Sequence, residues 1–172
     1  MKIIKILSLI LFALAANGEE MSSSMKVAID DVLAAGKVTP VDGISSTGQP
    51  DEAALKIFAD SGYVAVIDLR TAEEERGIDE AAAVEAVGME YVTLPIAGAG
   101  AVNFENAARL DEYLASFSGP VVVHCGAGNR VGALIALRQS LKGEDDETAI
   151  AYGKAGGLTG LEPRVREVLE AD

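Results

Sequence analysis

Three short apolar runs rich in β-branched residues punctuate the chain. "YVAVIDL" (63–69), "EYVTLP" (90–95) and "PVVVH" (120–124) each read as a strand. The three strong strands are expected to be buried on both faces, as in parallel sheets. Between them the apolar residues fall at helical spacing. "PDEAALKIFADSG" (50–62) has Pro50 in a first turn, acids near its positive end, Leu55 and Phe58 on one face, and Gly62 as a C-cap. "DEAAAVEAVG" (79–88) predicts a helix closed by Gly88, and "FENAARLDEYLASFSG" (104–119) one carrying Phe104, Leu110, Tyr113, Leu114 and Phe117. "VGALIALRQSLKG" (131–143) predicts an apolar helix, and 146–155 and 161–170 two more. A first helix is predicted over Met25 to Ala35 with Gly36 as its stop, followed by a short extended segment, "GISSTGQP" (43–50). Strand and helix thus alternate, which predicts an α/β domain with a mostly parallel central sheet flanked by helices.

The first 20 residues break this alternation. Two lysines precede a short apolar stretch and the small-residue sequence "ALA" at 13–15, so residues 1–16 read as a secretory signal peptide. The apolar stretch is shorter than the roughly 20 residues a spanning helix needs. Residues 17–24, "NGEEMSSS", form a flexible lead-in, and 25–172 a single domain. The expected location is periplasmic or secreted, with no stable membrane association after cleavage.

At 172 residues and 49% hydrophobic composition, the chain can build a core without disulfides or metal. Its formal charge of −13 deepens by two once Lys2 and Lys5 are removed. Such a surface repels nucleic acid and anionic lipid, so any anion site must be local.

The single cysteine and the single histidine are adjacent, in "VVVHCGAGNRVGALIAL" (121–137). In open α/β sheets ligands bind beyond the carboxyl ends of the strands, where "HCGAGNR" (124–130) lies. A strand that turns through glycines into a helix presents successive N–H groups to one concave spot, and the helix dipole adds positive charge. That geometry holds an anion and stabilises the charged form of a cysteine at its lip. Arg130 adds two parallel hydrogen bonds to a bound oxyanion. Cys125 thus reads as a nucleophile, with Arg130 as the clamp. The competing reading has Gly126 and Gly128 merely permitting a tight turn above a packed, inert Cys125. "GAGNRVG" also fits a loose dinucleotide fingerprint, but the sequence downstream offers helices and no second strand ending in an acid. A Ser–His–Asp triad or a metal site is disfavoured because His124 is the only histidine.

At these residues "VVVHCGAGNR" resembles the active-site loop of the cysteine-dependent protein-tyrosine and dual-specificity phosphatases. Together with "STGQPDEAALKIFADSGYVAVIDLR" and "EYVTLPIAGAG", it resembles the small bacterial phosphatase-like domain also found fused to β-lactamase-like hydrolases, over about residues 40–170. The resemblance implies a protein-tyrosine-phosphatase-like fold and hydrolysis of a phosphate monoester through a Cys125 phosphoenzyme. Arg130 would be the clamp, and His124 would tune the thiolate from behind the loop. The amides of Gly126, Ala127, Gly128, Asn129 and Arg130 would hold a small phosphorylated anion. It implies no metal and no cofactor.

Three departures bear on chemistry. The phosphatase signature has five residues between cysteine and arginine where "GAGN" gives four, so the nest is one amide smaller. Val131 stands where the family has a hydroxyl residue. No aspartate occurs in "LPIAGAGAVNFEN" to act as general acid; Glu105 is the nearby candidate, and it also reads as an ordinary first-turn helix acid. The runner-up follows from the short loop, which is also the form seen in rhodanese-like sulfurtransferases; these would work through a Cys125 persulfide on a sulfur-containing anion, although the tryptophan usual in that domain is absent. A weak anion- or phospho-ligand-binding module is the third alternative.

Overall fold

The computed structural model describes residues 25–36, 38 and 44–171. The predicted signal peptide and lead-in, residues 1–24, lie outside the described residues. Four strands, β1 (Ile44–Thr47), β2 (Ala65–Asp68), β3 (Glu90–Thr93) and β4 (Val121–His124), pair in the order β1-β4-β2-β3, every neighbour parallel. Among the described residues seven α-helices precede, connect or follow them: α1 (Ile29–Ala35), α2 (Glu52–Asp60), α3 (Glu80–Ala86), α4 (Phe104–Ser116), α5 (Asn129–Leu141), α6 (Asp146–Ala155) and α7 (Glu162–Glu170). A 3₁₀ turn occupies Ala99–Ala101.

Strand alternation divides the core in two. Ala65, Ile67, Val121 and Val123 face one side and pack with α4 to α7; Val66 and Val122 face the other, with Val32 of α1, Leu55 and Phe58 of α2, and Val84 of α3. By the same alternation Asp68 and His124 share the α1–α3 side, and Cys125 belongs to the opposite core. α5 is apolar nearly all round because it lies under α4, α6 and α7 at once.

Four expectations are corrected. β3 is an edge strand whose Glu90 and Thr93 are exposed, since only β2 pairs with it. The extended segment at 44–47 is instead a fully buried strand; Val27 N–H donates to the Ser46 carbonyl at 2.8 Å and so covers part of its outer edge. That contact takes Lys26 into a parallel bridge with Ser46, so the first helix begins at Ile29 rather than Met25. Pro50 precedes the helix instead of entering it: Asp51 is the N-cap, its carboxylate accepting from Ala54 N–H at 2.8 Å.

Three glycines bring α5 and α6 together. A Cβ on Gly132 would lie 2.1 Å from Leu158 N and 2.5 Å from the Gly153 carbonyl oxygen, and one on Gly153 would lie 2.7 Å from the Gly132 carbonyl oxygen. Gly156 fills the next contact, where a Cβ would meet Ile135 at 2.5 Å. This approach fixes the axis of α5, and with it the loop that leads into the helix.

Candidate active site

β4 ends centrally in the sheet, and the loop that follows is held by its neighbour. Cys125 N–H donates to the Thr47 carbonyl at 3.4 Å, and Gln49 N–H donates to the Gly126 carbonyl, also at 3.4 Å. Gly48 pairs with Ala127 in an antiparallel bridge, and a Cβ at Gly48 would sit 3.0 Å from the Gly126 oxygen, so glycine there lets the two backbones meet. Gly128 takes φ 82° as the N-cap of α5, a left-handed conformation that glycine adopts without strain. No side chain caps that terminus. The positive end of α5 therefore lacks a side-chain cap, three residues after Cys125.

The predicted residues converge in part. Cys125 is 2% exposed, beneath the exposed Gly126 and Ala127. Arg130, in the first turn of α5, curls back along the loop: its Nη2 lies 3.9 Å from a Cβ placed on Gly126. Its hydrogen bonds to Glu74 raise its pKa against the opposing effect of burial. Asn129 does not turn its side chain toward an anion. Its Oδ1 accepts from Thr159 N–H at 2.8 Å and Leu161 N–H at 3.3 Å, tying the start of α5 to the α6–α7 connection. Glu105 is exposed in the first turn of α4 and makes no ion pair among the described residues.

Glu74, in the turn after β2, completes the surroundings of Arg130. Both of its oxygens accept from Arg130, at 2.6 Å each, in a fork-to-fork pair. Thr71 N–H donates to Oε1 at 2.9 Å and Arg70 Nε to Oε2 at 3.3 Å. Arg130, followed by the Thr71 amide, holds the Glu74 carboxyl down at about 2 against the effect of burial, so it is ionised at neutral pH and has no proton to give as a general acid. Arg130 Nη1 also reaches the Ile96 carbonyl at 3.3 Å, which brings the loop after β3 to the same place. The signal that could have found Glu74 is positional: "TAEEERG" follows β2, which lies next to β4, so it too emerges at a carboxyl end of the sheet.

His124 faces away from the loop. It is buried on the α1–α3 side, with Nε2 2.9 Å from Glu80 Oε1 and 3.5 Å from Asp68 Oδ1. Asp68 Oδ2 accepts from Arg76 Nε at 2.7 Å and from the Tyr91 hydroxyl at 2.8 Å; Oδ1 accepts from Arg70 N–H at 2.8 Å. Burial, then the bond to Asp68, pushes the Tyr91 phenol up. Burial is the largest single influence on Arg76 and lowers its pKa, but the hydrogen bond and charge of Asp68 together with Tyr91 outweigh it and raise the pKa overall. Carboxylates thus supply what a lone histidine lacks: Asp68, Glu80 and His124 bring three metal-ligating atoms within 4.8 Å of one another.

Comparison with known proteins follows the same lines. The model of the phosphatase-like domain of beta-lactamase hydrolase-like protein matches residues 37–142. The beta-lactamase hydrolase-like protein of Agrobacterium fabrum (strain C58) is 29% identical over 120 residues, covering 67% of this chain and 28% of that protein. The chain therefore spans little more than a quarter of the length of that curated relative. Among solved structures, nma1982 of Neisseria meningitidis Z2491 superposes with TM-score 0.63 at 21% identity, over 75% of this chain and 92% of that one. P. aeruginosa TpbA, a Cys-to-Ser variant in complex with phosphotyrosine, gives 0.58 at 17% identity, over 73% and 77%. Both likenesses concern the fold.

Proposed function

Because the chain belongs to the phosphatase-like domain family of the beta-lactamase hydrolase-like proteins, we propose that it hydrolyses phosphate monoesters through a covalent phosphate on Cys125. The sulfur attacks phosphorus, an S–P bond forms, and the ester P–O bond breaks, the leaving oxygen taking up a proton. Water then attacks the phosphocysteine, the P–S bond breaks, and inorganic phosphate leaves. Gly128 and the uncapped start of α5 would turn main-chain N–H groups and the helix dipole toward the equatorial oxygens, with Arg130 clamping them. The observation that carries this reading is the position of Arg130, whose Nη2 lies 3.9 Å from a Cβ built on Gly126, beside Cys125 in the same loop at the carboxyl end of a central parallel strand.

The substrate class that fits is a small phosphorylated anion; an aryl phosphate is the natural probe, as TpbA was solved with phosphotyrosine. Incubation with p-nitrophenyl phosphate should release phosphate and add one phosphoryl group to the intact mass. Cys125→Ser should abolish both while leaving the fold intact. Sulfur transfer from thiosulfate to cyanide without phosphate release would favour the persulfide chemistry instead. The protein for this assay is the chain recovered after export, whose mass also reports removal of residues 1–16.

Glu74 favours a second reading, a slow enzyme or a binding module. It already occupies both prongs of Arg130, so a phosphate must displace or share it. Val131, fully buried, offers no hydroxyl to assist the departure of the sulfur. Phosphate binding without turnover in the wild type would select this reading.

A further inference from the structure

The group behind the loop lies across the sheet from Cys125, and its polar atoms are unusual. Asp68 and His124 end β2 and β4 in direct register, and Glu80 opens α3 above them. All three are at most 2% exposed. Yet neither oxygen of Glu80 and neither ring nitrogen of His124 has a hydrogen-bond partner, nor has the hydroxyl of Thr47, which is in register with His124. Leaving one buried polar group unpaired costs on the order of 1–3 kcal/mol, and an unpaired charge more. Native interiors seldom carry five such atoms in one place without an occupant.

We propose that Asp68, Glu80 and His124 form a closed binding site for a first-row divalent cation of the zinc class. Glu80 Oε1 lies 2.9 Å from His124 Nε2 yet makes no hydrogen bond with it. Asp68 Oδ1 is 3.5 Å from the same nitrogen. Separations of roughly 3 Å between donors that do not bond one another are those of ligands sharing one ion at about 2.1 Å. One imidazole and two carboxylates suit zinc and its first-row neighbours. The outer contacts match those of a built site: Arg76 and Tyr91 hold the far oxygen of Asp68, and Arg70 N–H holds the near one. Charge points the same way. One guanidinium faces both carboxyl groups, Arg76 lying 2.7 Å from Asp68 Oδ2 and 3.7 Å from Glu80 Oε2, so a second cation would balance the pair. The competing occupant is a proton shared between Glu80 and His124, and the absence of hydrogen-bond alignment between them argues against it. An ion here would lock together β2, β4 and α3, one residue behind Cys125.

The test is metal uptake during refolding, which opens a site that is closed in the native state. The full chain, unfolded and refolded with Zn²⁺ or with EDTA and then desalted, should retain about one zinc per chain and melt at a higher temperature than the EDTA sample. Glu80→Gln should lose the metal, and Tyr91→Phe should weaken binding roughly 10-fold. Cys125→Ser should retain it, because the sulfur lies across the sheet. Co²⁺ should give a ligand-field spectrum without sulfur-to-cobalt charge transfer. Folded wild type with no more zinc than Glu80→Gln overturns the proposal, as does a charge-transfer band that Cys125→Ser removes. Should Glu80→Gln fail to fold, zinc retention by Cys125→Ser together with the cobalt spectrum decides.

Discussion

The pairing of Glu74 with Arg130 sets how a phosphate would enter. A carboxylate already held in the fork repels an incoming dianion and competes for the same N–H groups. Two charges about 4 Å apart exchange roughly 4 kcal/mol at an effective dielectric of about 20, and partial exposure of Glu74 reduces that. Glu74→Gln should therefore lower the inhibition constant of inorganic phosphate by about tenfold, measured in competition with an aryl phosphate; an unchanged constant would mean that Glu74 moves aside at no cost. The same residue makes a pH prediction. Its carboxyl is lowered from 4.5 to about 2 in the folded chain, so its stabilising contribution is complete above 4.5 and lost as pH falls toward 2. The stability gap between wild type and Glu74→Gln, read by urea unfolding, should close over that window. Cys125 and Arg130 were legible because glycines, cysteine and arginine fall within seven consecutive residues. Glu74 was not, since 56 residues separate it from its partner and only folding joins them.

The elements behave as their apolar spacing dictates, and the exceptions are set by neighbours. β3 reads like β2 in sequence, but it stands at an edge and so exposes Glu90 and Thr93. The segment at 44–47 is polar in three of four positions, "ISST", and still becomes a fully buried strand because β4 pairs with it. Ser45 and Ser46 bond to the Tyr63 hydroxyl and the Gly156 carbonyl, which makes that burial tolerable. α5 depends on backbone contact through Gly132. Gly132→Ala would drive a methyl to 2.1 Å from Leu158 N, and it should cost about 3 kcal/mol in urea unfolding. A loss below about 1 kcal/mol would show that α6 can shift away easily. Because Asn129 and Arg130 lie one turn or less from that contact, the substitution should reduce aryl phosphate turnover as well.

Across the whole molecule the acidic surface opposes the local site. With a formal charge of −13, long-range forces repel an anionic substrate that the loop attracts at short range. Raising ionic strength from about 0.01 M to 0.15 M shortens the screening length from about 30 Å to about 8 Å. The value of kcat/KM for an aryl phosphate should therefore rise over that range; a fall would mean that Arg130 and its loop dominate the field at every distance. The alternation of strands and helices, the parallel sheet and the loop that carries Cys125 and Arg130 were determined by the sequence alone, because periodicity, glycine placement and motif spacing are local properties. Strand order, the edge position of β3, the arrival of Glu74 at Arg130 and the gathering of Asp68, Glu80 and His124 were decided only by the tertiary structure. Each of these depends on which strands pair and which loops emerge side by side, and that outcome belongs to the packed sheet as a whole rather than to any segment of it.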